Sequence, residues 1–234
     1  MNRIHLTLVI ALLGFAGGCS STFQAKHVQP SDFLKPHQAK LVKALEGDVL
    51  QTYKNQNVDW SRYRKIMLKP VMIEDGFSSG VTPEQRQDLQ RLADSFYTKL
   101  SQKLSRDYEM VEHPVPNTML IHVVITHAEK SWVAPAVLSK ASLELQVLNT
   151  VWTYFSGKPA FAGEITFEFT VHDAQTAELL VAGADRRVGG QNLIDKELFN
   201  AWGDAKNSVE FWSDLSAYQF CVLRKATGCI QPKA

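Results

Sequence analysis

The chain has 234 residues, with 25 Lys or Arg side chains against 24 Asp or Glu, so its formal net charge is +1. Proteins that bind nucleic acid or other polyanions need an excess of basic side chains, and this near-balance predicts no nucleic-acid partner. The length is enough for one ordinary domain with a sizeable core.

The first predicted element is an export signal. Arg3 is followed by an apolar run over residues 6–16 and then by Gly17, Gly18 and Cys19. The run is roughly half of the about 20 apolar residues that span a bilayer, so a permanent transmembrane helix is the weaker interpretation. The segment resembles a lipobox, which implies cleavage before the cysteine and acylation of its sulfur and new amino terminus.

Cleavage would leave 234 − 18 = 216 residues with 25 − 1 = 24 basic and 24 acidic side chains, a net charge of zero. At about 0.8 kcal/mol per buried CH₂, two or three acyl chains on Cys19 hold a protein on a membrane. In lipoprotein sorting, an aspartate after the cysteine commonly retains the protein on the inner membrane. Ser20 and Ser21 stand there instead, so we expect the periplasmic face of the outer membrane, with the inner membrane less favoured.

The sequence divides into three predicted parts: a signal peptide over 1–18, a lipidated N-terminus and tether over 19–57, and a globular domain over 58–234. Within the tether, Leu41, Leu45 and Val49 keep a spacing compatible with a short helix.

The first core elements of the domain are a strand and a long helix. Residues 64–73 read as a buried strand that Pro70 marks as an edge or bulged one. Thr82–Gln85 combines a capping threonine, a first-turn proline and a glutamine three residues after the cap, which predicts a helix start. An apolar stripe from Leu89 to Leu104 extends this helix to about residue 106.

The remaining elements form a hairpin-rich sheet and a closing helix. Strands are predicted over 108–112 and 119–126, and 164–172 alternates so strictly that one face should be apolar and the other solvated. Residues 179–188 return as its hairpin partner, and a helix is predicted over 195–220. This order predicts a single compact α/β domain of the α+β type, with a mixed sheet and helices packed mainly on one face.

The connector over residues 131–155 is rich in apolar residues but fits neither the helix nor the strand period. One interpretation is a buried strand or helix under the sheet. The other is an exposed flap that meets the membrane, a small ligand or a second copy, with Trp132, Trp152 and Phe155 as the ligand or partner surface.

Cys221 and Cys229 stand eight positions apart near the end of the chain. In an oxidising compartment this spacing favours a disulfide, with two unpaired thiols as the alternative. Two cysteines without nearby histidines fall short of the four ligands of a zinc site.

Residues 76–80 match the Gly-x-Ser-x-Gly pattern of hydrolases, with Ser78 as the nucleophile. In that motif the helix begins at the nucleophile, whereas here the start signal is at Thr82. A surface turn is therefore favoured, no catalytic site is predicted, and a hydrolase using Ser78 stays an alternative.

The histidines are dispersed and predict no metal site or cofactor. His122 and His127 are an odd number of residues apart, so on a regular strand they point to opposite faces and cannot share a metal. His172 could lie beside His122 across strands, which makes only half a zinc site. Surface ion pairs account for the charges that bracket the hairpin, namely Asp173, Asp185, Arg186 and Arg187.

These segments together resemble an uncharacterised bacterial lipoprotein family, domain of unknown function thirty-three-thirteen. The resemblance rests on Phe33-Leu34, Asp59–Tyr63, Pro70-Val71, Pro116–Thr126, Gly163-Glu164, Glu168, Asp173, Thr176, Asp185–Arg187, Trp202 and Trp212. The family prefers glycine where this chain has Ala177. It implies a lipoprotein but brings no established activity, substrate or catalytic residues.

We therefore expect a non-enzymatic, lipid-anchored envelope protein that binds another envelope component or a small ligand through its sheet edge or the 131–155 connector. The alternatives are an envelope hydrolase using Ser78 and a carrier of a small apolar ligand. The carrier predicts a cavity lined by Trp132, Trp152 and Phe155.

Overall fold

The computed structural model describes residues 22–130, 162–189 and 202–232. Its strands are β1 (Thr22–Gln24), β2 (Val42–Lys43), β3 (Gln51–Lys54), β4 (Lys65–Leu68), β5 (Met72–Ile73), β6 (Glu109–Met110), β7 (Thr118–Glu129), β8 (Glu164–Asp173) and β9 (Leu179–Gly189). Its α-helices are α1 (Asp75–Ser78), α2 (Pro83–Leu104) and α3 (Gly203–Leu223). Short 3-10 helices cover Lys35–Lys40 and Trp60–Arg62.

All these strands belong to one mixed sheet, in the order β2-β3-β9-β8-β7-β4-β6. The three long strands β7, β8 and β9 form an antiparallel meander at its centre. On one side, β1 and β3 pair with successive parts of β9; on the other, β4 and β5 pair in parallel with successive parts of β7. The predicted single α+β domain with a mixed sheet is confirmed.

Helices α2 and α3 pack side by side on one face of the sheet. The capping box predicted for α2 is present: Thr82 Oγ1 accepts from the Gln85 N–H at 3.3 Å, and the Gln85 side chain accepts from the Thr82 N–H at 2.9 Å. The ring of Phe96 on α2 and that of Trp212 on α3 both lie against Phe167 of β8, with centroids 5.8 and 4.1 Å away. These aromatic contacts join both helices to the central strand.

The opposite face of the sheet is covered by the segment that precedes β2. Leu34 is fully buried there, in a small apolar cluster with Ala182 and Ala184 of β9. Ser31 donates to the Glu168 carboxylate from its N–H at 2.5 Å and from its hydroxyl at 2.9 Å. Glu168 is 0% exposed, so the prediction that this face of β8 is solvated is wrong: the N-terminal segment covers it.

The short helix suggested by Leu41, Leu45 and Val49 is also wrong. These residues belong to the β2–β3 hairpin, whose turn contains Gly47 with φ of +87°, a conformation that glycine adopts without steric cost. The hairpin sends the three side chains in different directions, and Leu45 is 86% exposed whereas Val49 is buried. The sheet already begins at Thr22, ahead of the expected domain start at residue 58.

Pro70 interrupts the strand predicted over 64–73, because β4 ends before it and β5 begins after it. β6 pairs only with Lys65 and Ile66 of β4, and β5 pairs only with β7 among the described strands, so the interruption at Pro70 agrees with the expected edge or bulged strand. The last predicted helix is present as α3 from Gly203, and its expected first turns lie outside the described residues.

Candidate functional site

An apolar cleft of about 120 Å³ lies between the sheet and the two long helices, and it is partly open. Its walls are the aromatic and aliphatic side chains of Phe96, Leu100, Phe167, Phe169, Val181 and Trp212. Polar side chains of β3 and α3 also line it, namely Thr52, Lys54, Ser216 and Gln219. Apolar walls with a few polar groups are typical of small-ligand sites.

A glycine shapes one wall of the cleft. Gly183 of β9 lies opposite Phe169, and a β-carbon there would be 2.6 Å from the Phe169 ring and 2.9 Å from the Gln51 carbonyl oxygen. Without a side chain at 183, the Phe169 ring lies over the β9 backbone and stacks on Phe167 at 5.7 Å. A glycine inside a strand is the sequence signal for such a close approach.

A buried carboxylate, Asp185, lies below the cleft and fixes the indole of Trp212. Its oxygens accept from the Trp212 Nε1–H at 2.7 Å, the Gln24 side-chain amide at 2.7 Å and the Leu50 N–H at 3.1 Å. Burial raises the pKa of Asp185 to about 6, although these donors and the charge of Arg187 oppose the shift. Asp185 is 0% exposed, so its assignment to a surface ion pair is wrong.

Arg187 is buried as well, at 1% exposure, and joins β1 to the helix layer. Its guanidinium lies over the Phe211 ring at 3.8 Å and donates to the Thr22 carbonyl oxygen at 2.8 Å. The prediction that Arg187 forms a surface ion pair is therefore wrong. Asp185 and Arg187 are both buried because the odd-numbered side chains of this part of β9 point toward the helices.

Asp173 closes the turn between β8 and β9. One carboxylate oxygen accepts from the N–H groups of Gln175 and Thr176 at 2.9 Å each, and the other accepts from the Tyr63 hydroxyl at 2.9 Å and from Arg62 at 2.5 Å. Burial alone would raise the pKa of Asp173, but these four donors outweigh it and lower the pKa to about 2. The residue is therefore a buried anchor of the turn and not the surface charge predicted for it.

His127 lies in an ion-pair network at the end of β7. Its Nε2 is 3.1 Å from Glu164 and 3.3 Å from Glu129, and Arg186 donates to the second oxygen of Glu164 at 2.5 Å. The hydrogen bond to Glu164 raises the pKa of His127. In the described ranges, His127 and the two glutamates are the group whose ligand atoms, all within 4.8 Å, could hold a metal ion. Arg186 already supplies a positive charge to it.

A β-bulge brings His122 and His127 to the same face of the sheet. His122 pairs with Thr170 and His127 with Thr166, because the register shifts by one residue after Ile125. The prediction that the two histidines point to opposite faces is therefore wrong, since it assumed a regular strand.

A family model described as "Protein of unknown function (DUF3313)" matches residues 29–216. The chain belongs to this family. The resemblance predicted from the sequence is thereby confirmed, and it brings no established activity to the DUF3313 domain. No curated protein matches the chain.

Solved structures show distant likenesses to this DUF3313 domain. The PelC dodecamer from Paraburkholderia phytofirmans is 9% identical, with a TM-score of 0.37 and coverage of 75% of this chain and 95% of that chain. The hypothetical protein CT253 from Chlamydia trachomatis is 10% identical, with a TM-score of 0.39 and coverage of 69% and 98%. A DUF4136 family protein from Bacteroides thetaiotaomicron is 8% identical, with a TM-score of 0.32 and coverage of 69% and 92%. Similarities this weak carry no functional inference.

Ser78 lies at the end of α1 in the DUF3313 domain. Its hydroxyl donates to the Asp75 carbonyl oxygen at 3.2 Å, and its own carbonyl accepts from Arg86 at 2.9 Å. Within the described ranges, no histidine or carboxylate side chain hydrogen-bonds to this hydroxyl. The next helix, α2, starts at Pro83, and its predicted cap Thr82 lies four residues after the serine.

Cys221 and Cys229 form the predicted disulfide, with an S–S distance of 2.05 Å. The predicted lipidation site Cys19 and the predicted ligand surface of Trp132, Trp152 and Phe155 lie outside the described residues. Among the helices of the described part of the chain, none is long and apolar enough to span a membrane.

Proposed function

We propose that this DUF3313 protein is a lipid-anchored envelope protein that binds a small apolar ligand in the apolar cleft, without an enzymatic step. The observation that carries the proposal is the cleft itself, because protein cores normally pack without voids larger than a water molecule. A dry apolar cavity of about 150 Å³ holds benzene, so a cleft of about 120 Å³ suits one ring or a short acyl segment. Because the cleft is partly open, the remainder of a larger apolar molecule would lie outside it.

The anchor is supported by two separate features. Gly17, Gly18 and Cys19 follow the apolar run in the order of a lipoprotein signal. The Cys221–Cys229 disulfide belongs to a class of cross-link that persists in oxidising compartments such as the periplasm. With Ser20 and Ser21 after the cysteine, we place the protein on the periplasmic face of the outer membrane.

Ligand binding is tested with N-phenyl-1-naphthylamine, a small apolar fluorophore, titrated into the purified protein. Ser216→Phe places a ring at a position of α3 that lines the cleft, and Ala217→Phe places the same ring on the next residue, which does not line it. Both positions are half-buried, which makes them a matched pair.

We expect saturable binding of one fluorophore per chain, weakened at least about tenfold by Ser216→Phe and unchanged by Ala217→Phe. Circular dichroism and thermal unfolding verify that both variants fold. Equal affinity in the two variants, or fluorescence that rises without saturation, would overturn the cleft as the binding site.

A further inference from the structure

The structure leaves almost no free chain between the proposed anchor and the sheet. Thr22 is the first residue of β1 and pairs with Gly189 of β9. Only Ser20 and Ser21 separate Thr22 from Cys19. Three Cα-to-Cα steps span at most about 11 Å, so a lipidated Cys19 cannot lie farther than this from the end of the sheet.

Ends of the strands β7, β8 and β9 lie at the same place as Thr22. Glu129 at the end of β7 pairs with Glu164 at the start of β8, which in turn pairs with Val188 beside Gly189. The first turn of α3 joins them, because the Asp204 carboxylate accepts from the Gly163 N–H at 3.0 Å. We call this the proximal end of the domain. The turn that Asp173 closes lies at the other end of the same strands, the distal end.

We propose that the proximal end lies against a phospholipid bilayer, so that the sheet stands on the membrane and the β8–β9 turn points away from it. The inference rests on the proposed acylation of Cys19. It differs from a flexible tether of several dozen residues, which would leave the domain free to rotate.

The side chains of the proximal end fit a membrane–water interface. Lys130, Lys206 and Glu129 are exposed in this part of the domain, so charges of both signs are present. The ammonium of Lys130 lies 5.3 Å from the centroid of the Trp202 ring, and Asp88 of α2 accepts from the Lys130 ammonium at 2.8 Å and from the Trp202 Nε1–H at 2.9 Å. Tryptophan and lysine combine apolar bodies with polar tips, and both are typical of the headgroup region. Because the charges are mixed, the short chain to Cys19 and not ionic attraction would hold the proximal end at the bilayer. We therefore expect the orientation of the domain to depend weakly on salt concentration.

The orientation is tested by placing one fluorescent label at either end of the acylated protein. Lys206→Cys labels the first turn of α3 at the proximal end, and Gln175→Cys labels the exposed distal turn. Ten residues of β8 separate the two ends, about 33 Å. The native cysteines stay unreactive, because Cys221 and Cys229 are joined and Cys19 carries lipid.

The labelled proteins are inserted in vesicles of phosphatidylethanolamine and phosphatidylglycerol, with a headgroup spin label as quencher. We expect several-fold stronger quenching at Lys206→Cys than at Gln175→Cys. A flexible Gly/Ser insert of about 20 residues between Ser21 and Thr22, with a root-mean-square span of about 25 Å, should remove most of this difference.

The mass of the purified protein separates the two ways to fail. Absence of acyl mass and retention of residues 1–18 would overturn the proposed anchor. Confirmed acylation with equal quenching at both positions, or a difference that the insert leaves unchanged, would overturn the orientation alone.

Discussion

Replacing Asp185 by Asn tests whether the carboxylate beneath Trp212 destabilises the fold when it ionises. In the folded protein the pKa of Asp185 is raised from 3.8 to about 6, chiefly by burial. The contribution of the protonated Asp185 side chain to stability is therefore complete below pH 3.8 and is lost as the pH rises through about 6. The difference between the two pKa values corresponds to about 3 kcal/mol of lost stability at pH 7.

The asparagine side chain does not titrate and keeps one acceptor oxygen for the Trp212 indole, so any packing penalty of the substitution is constant with pH. Because Asp185 is already partly ionised in the unfolded chain at pH 4, we expect the free energy of unfolding of Asp185→Asn, relative to the native protein, to rise by about 2 kcal/mol between pH 4 and pH 7. Urea unfolding followed by tryptophan fluorescence measures both proteins at each pH.

Asp173→Asn is the matched control, since Asp173 is a buried carboxylate at the end of the paired strand β8. Its pKa is lowered to about 2, so its contribution is present above pH 3.8 and is lost only as the pH falls through about 2. The stability difference for this variant should stay constant between pH 4 and pH 7. A flat profile for Asp185→Asn, or one that falls with pH, would refute the reasoning.

Four further changes have defined outcomes. Replacing Cys221 and Cys229 by Ser should lower the free energy of unfolding by about 2.5 kcal/mol, measured by urea unfolding, because the disulfide closes a short loop. His127→Gln should lower the free energy of unfolding at pH 5.5 and change it little at pH 9. Because the pKa of His127 is raised in the folded protein, the contribution of this side chain to stability is complete below pH 6.5 and is lost as the pH rises through its folded-state pKa. Equal losses at both pH values would contradict this. Gly183→Ala should lower the melting temperature and weaken fluorophore binding, since the new methyl group meets the ring and the carbonyl oxygen that its β-carbon would touch. Ala177→Gly should raise the melting temperature by relieving a backbone φ of +58°, worth about 1 kcal/mol; an unchanged or lower value would count against strain at this position.

Elements that depend on local sequence could be predicted. The alternation over 164–172 was enough to predict β8, and the Thr82 cap was enough to predict the start of α2. Strand period and helix capping involve residues only a few positions apart. The glycine that the resemblance led us to expect at position 177 also has a local cause, since Ala177 adopts the left-handed conformation in the β8–β9 turn.

Features that depend on distant residues could not be predicted. The burial of Glu168 depends on Ser31, 137 positions earlier in the chain, and nothing near Glu168 indicates that contact. The bulge that reorients His127 likewise could not be placed from the β7 sequence, which contains no glycine or proline. The cleft is a gap between packed side chains, and the one local hint of it was Gly183 inside a strand.

The three-residue strand β1 also determines how the domain would respond to a mechanical force on the proposed anchor. A tension on Cys19 would act along β1, and the hydrogen bonds to β9 lie across that direction. The force would load these hydrogen bonds together in shear and would not break them one after another. In addition, the Arg187 guanidinium donates a hydrogen bond to the backbone of Thr22, the first residue of β1. A strand too short to be stable alone would thus transmit traction from the lipid directly into the centre of the sheet.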